Sequence, residues 1–255
     1  MDLENFGFRI ERGGAHGARS MMLNELETLL AYVDLPGATQ SNYRNAIVSE
    51  NCLGKRSVKS RTLTFRHLVE LYALDPSVPL FHALYFLWAR DPAGHPLLAF
   101  LCAYARDEIL RAGAPYILRQ YEGAQMSREG LEEYLETQYP DRFSRATLKS
   151  TAQNINTTMT RAGLLNGRVK KVRAQPAATP GSAVYALMLG HLRGVRGELL
   201  LETEYAKLLA CGPERIVELA EEAARRGWIT FRRIGRVMEV HFPRLLGDRV
   251  EAEAV

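Results

Sequence analysis

Between Arg142 and Arg173 the sequence holds eight basic residues, Arg142, Arg145, Lys149, Arg161, Arg168, Lys170, Lys171 and Arg173, and no aspartate or glutamate. Thr147, Ser150, Gln153, Asn154 and Thr157 lie among them. Lysine and arginine neutralise phosphates and release counterions, while short hydroxyl and amide side chains let a helix enter a groove and still reach base edges. That chemistry suits a nucleic-acid duplex. A second run, NCLGKRSVKSRTLTFRHL at 51–68, sets Lys55, Arg56, Lys59, Arg61 and Arg66 beside Ser57, Ser60, Thr62 and Thr64, again without an acid. A charge run on a helix is usually only a solvated face, so the elements that carry it must decide.

The spacing predicts a helix from Ser144 to about Ala162. Leu148, Ala152, Ile155, Met159 and Ala162 share one stripe at helical periodicity and form its core face. Thr147, Ser150, Gln153, Asn154, Thr157 and Arg161 fall opposite, with Arg145 and Lys149 at the flanks. Upstream, SREGLEEYLETQYP is a helix capped by Ser127 and ending at a YPDRF turn. Downstream, GLLNGRVKKVRAQP reads as a hairpin turning at Asn166-Gly167 in a type I′ turn. Helix, turn, helix, hairpin is the order of a winged helix. Its wing would present Arg168, Lys170, Lys171 and Arg173 to the flanking backbone or the minor groove.

The other cluster belongs to an earlier unit. Met22, Leu26, Leu29 and Leu30 define a first helix within 18–34, broken at Pro36-Gly37. A short second helix covers 38–50, and Ser57 caps a third that runs to about Ala73. This pair makes a helix-turn-helix candidate. Helical projection of the third helix puts Val58, Phe65, Leu68, Val69 and Tyr72 on the apolar side and Lys59, Ser60, Arg66 and His67 on the polar one. Arg61 falls near the apolar side, placed to snorkel, and Leu63 is exposed. The contact candidates here are Lys55, Arg56, Ser57, Lys59, Ser60 and Arg66.

Two strongly apolar helices, about 79–90 and 95–112, are expected at the centre. QPAATPG at 175–181 is the most linker-like stretch and marks a boundary. Beyond it the order repeats: helices at about 182–193 and 203–210, a helix opened by Pro213, then GWITFRRIGRVMEVHFP alternating as a hairpin with Gly235 near its tip. This last helix carries Glu214, Glu218, Glu221 and Glu222, which repel phosphate and favour docking a protein; Arg225, Arg226, Arg232, Arg233 and Arg236 remain at its end and wing. The tail GDRVEAEAV is expected to fray. The expected fold class is therefore mainly α, with helix-turn-helix and winged-helix units around a central apolar helix pair and small β-hairpin wings. The units are 1–125, 126–175 and 181–247.

Other chemistries find little support. The balance of 33 Lys and Arg against 29 Asp and Glu gives only +4, so distribution rather than total charge carries the reading. Cys52, Cys102 and Cys211 are scattered and odd in number, which fits free thiols in a reducing compartment. No apolar stretch reaches the roughly 20 residues needed to cross a bilayer, and the N-terminus has no apolar h-region, so a cytoplasmic location is expected. The Gly-rich RGGAHGAR at 12–19 lacks the ending of a phosphate loop and reads as a flexible lead-in. The six histidines form no metal motif, and Glu132, Glu133 and Glu136 read as the wet face of a helix rather than an acid-base pair. No catalytic residue, metal, cofactor or small-molecule substrate is expected, and no membrane partner.

Three stretches of the first half resemble one known family. GGAHGARSMMLNELETLLAYVD (13–34), SENCLGKRSVKSRTLTFRHLVELYALDP (49–76) and the paired apolar helices through Arg111 look like the BrxA family of the bacteriophage exclusion (BREX) defence systems. ENCLGKRS (50–57) is similar to that family's Asn-x-Leu-x-(Lys/Arg)-(Arg/Ser/Thr) signature, and by this match only Lys55, Arg56 and Ser57 carry over. The resemblance implies a small, helical, non-enzymatic protein with helix-turn-helix elements that binds DNA alongside a methyltransferase and other defence components. The expectation is thus a double-stranded DNA-binding accessory factor in phage defence. The competing expectation is an adaptor or regulator within a defence operon whose winged helices dock proteins.

Overall fold

The computed structural model of the chain describes residues 2–10, 13–35, 37–235 and 237–246. The expected frayed tail GDRVEAEAV, Arg12 of the Gly-rich stretch, Pro36 of the first break and Arg236 of the last hairpin lie outside the described residues. The molecule is mainly helical with two small antiparallel sheets, as its pattern of apolar periods requires. No helix of the described residues is long and apolar enough to cross a membrane.

Helices α1 (Leu23–Tyr32), α2 (Gln40–Val48) and α3 (Val58–Tyr72) open the fold, and Ser57 caps α3 by accepting from the Ser60 amide at 3.1 Å. Proline at the first position starts α4 (Pro79–Trp88), which packs on α5 (His95–Arg106). The single helix expected over 95–112 is in fact two. Asp107 takes an extended backbone, ends α5, and caps α6 (Glu108–Leu118) by accepting from the Leu110 amide at 3.0 Å.

The next elements complete a winged helix. After α6 come β1 (Gln125–Met126), α7 (Arg128–Gln138), α8 (Arg145–Arg161), β2 (Leu165–Asn166) and β3 (Lys171–Arg173), with strand order β1-β3-β2. Val172 pairs with Gln125 on one side and Asn166 on the other. β1 thus adds a third strand to the hairpin, and α6 packs against α7 and α8. β1, two residues long and with no turn signal pairing it to a neighbour in sequence, carries too little period-two alternation to be seen there.

The repeat beyond 180 is present as α9 (Pro180–Leu192), a 3-10 turn at Gly197–Glu202, α10 (Glu204–Lys207), α11 (Pro213–Arg225) and the hairpin β4 (Thr230–Ile234) with β5 (Val237–His241). Every residue of α9 is buried, and α4, α5, α10 and α11 pack around it. The apolar pair α4 and α5 thus shares the centre with a third helix, and the hydrophobic core runs unbroken across the linker-like stretch. Asp91 on the α4 side accepts from the Gly181 amide at 2.7 Å, pinning the start of α9 to it.

The Gly-rich lead-in is not loose. His16 is fully buried, with Nδ1 at 2.9 Å from Asp107 Oδ2 and Nε2 at 2.8 Å from Thr158 Oγ1 on α8. Thr158 Oγ1 also accepts from the Met21 amide at 2.9 Å, and Asp107 Oδ2 from the His16 amide at 3.0 Å. Gly14 must be glycine, because a Cβ there would stand 2.1 Å from Asp107 Oδ1. A carboxylate, an imidazole and a hydroxyl in a row is the order of a nucleophilic triad. Here all three are enclosed, so the row is a fastening between the N-terminal segment, α6 and α8.

Two pH-sensitive groups follow from this burial. Desolvation alone would raise the Asp107 carboxyl, but the charge and hydrogen bond of His16, with the Leu110 and His16 amides, hold it below its ordinary value. Its contribution is complete above about pH 3.8 and is lost as pH falls through the lower folded value. His191, at the end of α9, packs its ring 5.2 Å from Phe242, and neither of its nitrogens has a hydrogen-bond partner among the described residues. Burial, helped by Arg196 and His241, pushes its imidazole from 6.5 down to about 4. Because the fold favours neutral His191, stability should hold above pH 6.5 and fall as the pH drops towards 4, read as the urea midpoint; His191→Leu should shrink that fall. His16→Ala leaves the buried Asp107 carboxylate unpaired and should cost about 3–5 kcal/mol in the same measurement at pH 7.

Candidate nucleic-acid interface

Helix α8 starts where Ser144 Oγ accepts from the Thr147 amide at 3.2 Å. Its inner stripe, Leu148, Ala152, Ile155, Met159 and Ala162, is buried as the periodicity requires. Thr151 and Thr158 are buried as well, which widens the core face beyond that stripe. Besides Ala146, the exposed residues are Arg145, Lys149, Gln153, Thr157 and Arg161, spaced four apart from one end of the helix to the other. Cations stand at its ends and an amide and a hydroxyl in its middle.

Thr147, Ser150 and Asn154 are only half exposed. Asn154 Nδ2 donates to the His16 carbonyl at 3.0 Å, and Ser150 Oγ to the Thr147 carbonyl at 2.9 Å, so both are partly spent within the fold. Arg142 lies before the helix, its guanidinium 4.7 Å from the Tyr139 ring and 5.1 Å from the Phe143 ring, with Nη1 at 3.6 Å from Glu108 Oε2.

The wing corrects two expectations. The hairpin does not turn on an Asn-Gly type I′ pair: Asn166 pairs with Val172 inside the ladder, only Gly167 takes positive φ, and residues 167–170 form a longer tip. Gly167 is obligatory, since its φ of +92° would bring a Cβ within 2.0 Å of the Lys170 carbonyl oxygen. Arg173 does not face outward. It is 8% exposed, and its Nη1 donates to the Leu164 carbonyl at 3.1 Å and to the Ala174 carbonyl. As the residue of β3 opposite Leu165, it points to the face of the sheet that covers the core. Lys171 folds back, Nζ donating to the Gly167 carbonyl at 2.7 Å. Arg168 and Lys170 remain exposed.

A groove of about 780 Å³ separates the middle of α8 from the wing, lined by Gln153, Asn154, Thr157, Arg168 and Lys170. Gln125, Arg128, Glu129 and Asn156 are also among its lining, and composition alone did not single them out. The available signal was Ser127, whose N-cap aims the first turn of α7 at α8. Arg128 is held by Glu129 at 2.6 Å and Glu132 at 2.8 Å. The Glu129 carboxyl lies below its ordinary range through its own backbone amide first and Arg128 next, with Lys149 contributing. The acid-free span thus meets one acidic edge.

The N-terminal cluster is less open than α8. Arg56, Ser57, Lys59 and Arg66 are exposed, while Lys55 and Ser60 are half-buried. Lys55 Nζ sits 3.0 Å from Glu25 Oε1, and Arg66 Nε 3.7 Å from Glu70 Oε1. Two assignments on α3 reverse: His67 is buried and Val58 is 61% exposed. The inward stripe is Thr64, His67, Leu68, Leu71 and Tyr72, so the helix is turned away from the apolar side read from Phe65 and Val69. Leu63 is half-buried rather than exposed, and Arg61 reaches inward, Nη1 donating to the Val48 carbonyl at 2.9 Å.

Charge is handled oppositely in the two winged units. No carboxylate of the described residues pairs with Arg145, Lys149, Arg161, Arg168 or Lys170. On α11 and its wing, Arg215 pairs with Glu218 at 2.7 Å, Arg226 with Glu222, and Arg233 with Glu214 at 2.9 Å and Glu198 at 3.5 Å. Among the described residues no three His, Cys, Asp or Glu side chains are grouped to hold a metal ion. No protein-family model matches the chain, and no curated protein matches it.

Buried and exposed cations should respond differently to truncation. Arg173→Ala strips partners from two carbonyls inside the wing and should lower stability by about 1–3 kcal/mol, read as the urea midpoint. Lys149→Ala touches nothing structural and should stay within about 0.5 kcal/mol of the parent.

Proposed function

We propose that this protein binds double-stranded DNA through the outer face of α8 and the wing behind it, without chemistry of its own. The carrying observation is the set of cations on α8 and the wing that have no carboxylate partner among the described residues, on an architecture whose second copy pairs Arg215, Arg226 and Arg233 with its own glutamates. Exposed cations held apart from acids attract phosphates most strongly where several converge along one ridge. Arg145, Lys149 and Arg161 would engage backbone, and Gln153 and Thr157 would face base edges. Arg56, Ser57 and Lys59 supply an auxiliary contact.

The signature-like segment 50–57 supports a setting in phage defence, as an accessory factor of a BREX-like system acting in the cytoplasm beside other defence proteins such as a methyltransferase complex. A second reading, docking of a partner protein, is favoured by one observation on the C-terminal unit: cross-strand neighbours Ile234 and Val237 are 83% and 75% exposed at the wing tip, above an acidic α11.

Fluorescence anisotropy of a duplex over a salt series separates the readings. Five phosphate contacts predict log K falling against log salt with a slope of about −4 to −5. Replacing Lys149, Arg161, Arg168 and Lys170 together by alanine should flatten it to about −1. Absence of duplex affinity at low salt would hand the assignment to the docking reading.

A further inference from the structure

The four basic residues of the β2–β3 wing divide into two jobs. Lys171 and Arg173 point back and lock the loop, the first onto the Gly167 carbonyl at 2.7 Å and the second onto Leu164 at 3.1 Å. The base is further tied by Arg173 N to the Ala124 carbonyl at 2.8 Å and Ala174 N to the Leu164 carbonyl at 3.0 Å. Arg168 and Lys170 point out, and between them Val169 is 90% exposed. The tip is therefore a braced hook with an apolar point flanked by two cations.

From this hook, and resting on the DNA reading above, we infer that the wing enters the minor groove and gives the protein a preference for A·T-rich sequence beside the α8 contact. A tip built only to hold the outer backbone would need its cations and gain nothing from a valine, which phosphates would leave against water. In the minor groove, about 6 Å wide, a single loop tip fits where a helix does not, and Val169 meets the sugar-lined walls. Arg168 and Lys170 then follow the negative potential, which is strongest where A·T tracts narrow the groove. Guanine opposes this seat, since its N2 amino group stands on the groove floor.

Competing polymers test the inference. Inosine lacks the N2 amino group, so an I·C pair presents the minor groove of A·T and the major groove of G·C. Titrations of poly(dA-dT), poly(dI-dC) and poly(dG-dC) at one low salt concentration should rank the first two together, about tenfold tighter than the third. Arg168→Ala/Lys170→Ala should still bind, with the ranking erased, and Val169→Ser should narrow the gap while keeping the salt slope. If poly(dI-dC) binds like poly(dG-dC), or all three bind alike, the wing does not read the minor groove and only the inference falls. If none binds, the DNA reading falls with it.

Discussion

The fastening of His16 between Asp107 and Thr158 is the interaction on which the rest of the molecule turns. One buried carboxylate ends α5, caps α6 and holds the imidazole that reaches α8. A buried charge persists only with partners that replace its lost water, and Asp107 has three: the amides of His16 and Leu110 and the ring of His16. The N-terminal segment is thereby not a tail laid on a finished domain. It is the inner wall against which the winged helix is set, and Gly14 is required because nothing larger clears the carboxylate.

From that wall outward, the two winged units diverge by charge rather than by fold. Both place a helix and a hairpin in succession on the same core. On α11, glutamates spaced three and four residues from arginines form exposed pairs along the helix surface, weak and screened by salt. On α8 Arg145 and Lys149 sit four apart, so the same spacing rule sets these two like charges side by side. That arrangement is mildly unfavourable for the isolated helix. It is sustained by the packing of the buried face, and the repulsion is relieved by a polyanion.

Much of this was legible in the amino-acid sequence, and the parts that were not share a cause. The inner stripe of α8, the Ser57 and Ser127 caps, Pro213 and the two hairpins are all local: each is decided by residues within one or two turns of one another. What escaped was set by distant partners. Arg173 reads as one more wing cation until its strand partner Leu165 shows which face it occupies, and His16 reads as loop until Asp107 and Thr158 come to it from positions far along the chain. The break at Asp107 was hidden because Arg106, Asp107 and Glu108 read as one polar turn between two apolar stretches, and a cap is a single side chain. Helix α3 was turned because Phe65 and Val69 weigh more in a hydrophobic projection than Thr64 and His67, although the latter pair meets the core.

Rigidity joins these observations. A recognition surface that must order itself on binding loses about 0.5–1.5 kcal/mol for each long side chain it immobilises, and more if a loop or helix must move. In this fold the backbone share of that cost is met before any ligand arrives. Helix α8 is gripped from inside by Asn154 and Thr158, and the wing is closed on itself by Lys171 and Arg173. The basic residues that read as ligands but bond inward are therefore part of the same device as those that face out. They hold the geometry in which Arg168 and Lys170 stand on one side of a groove and Gln153 and Thr157 on the other, so that a duplex meets a surface already shaped and only the outermost side chains remain to be ordered.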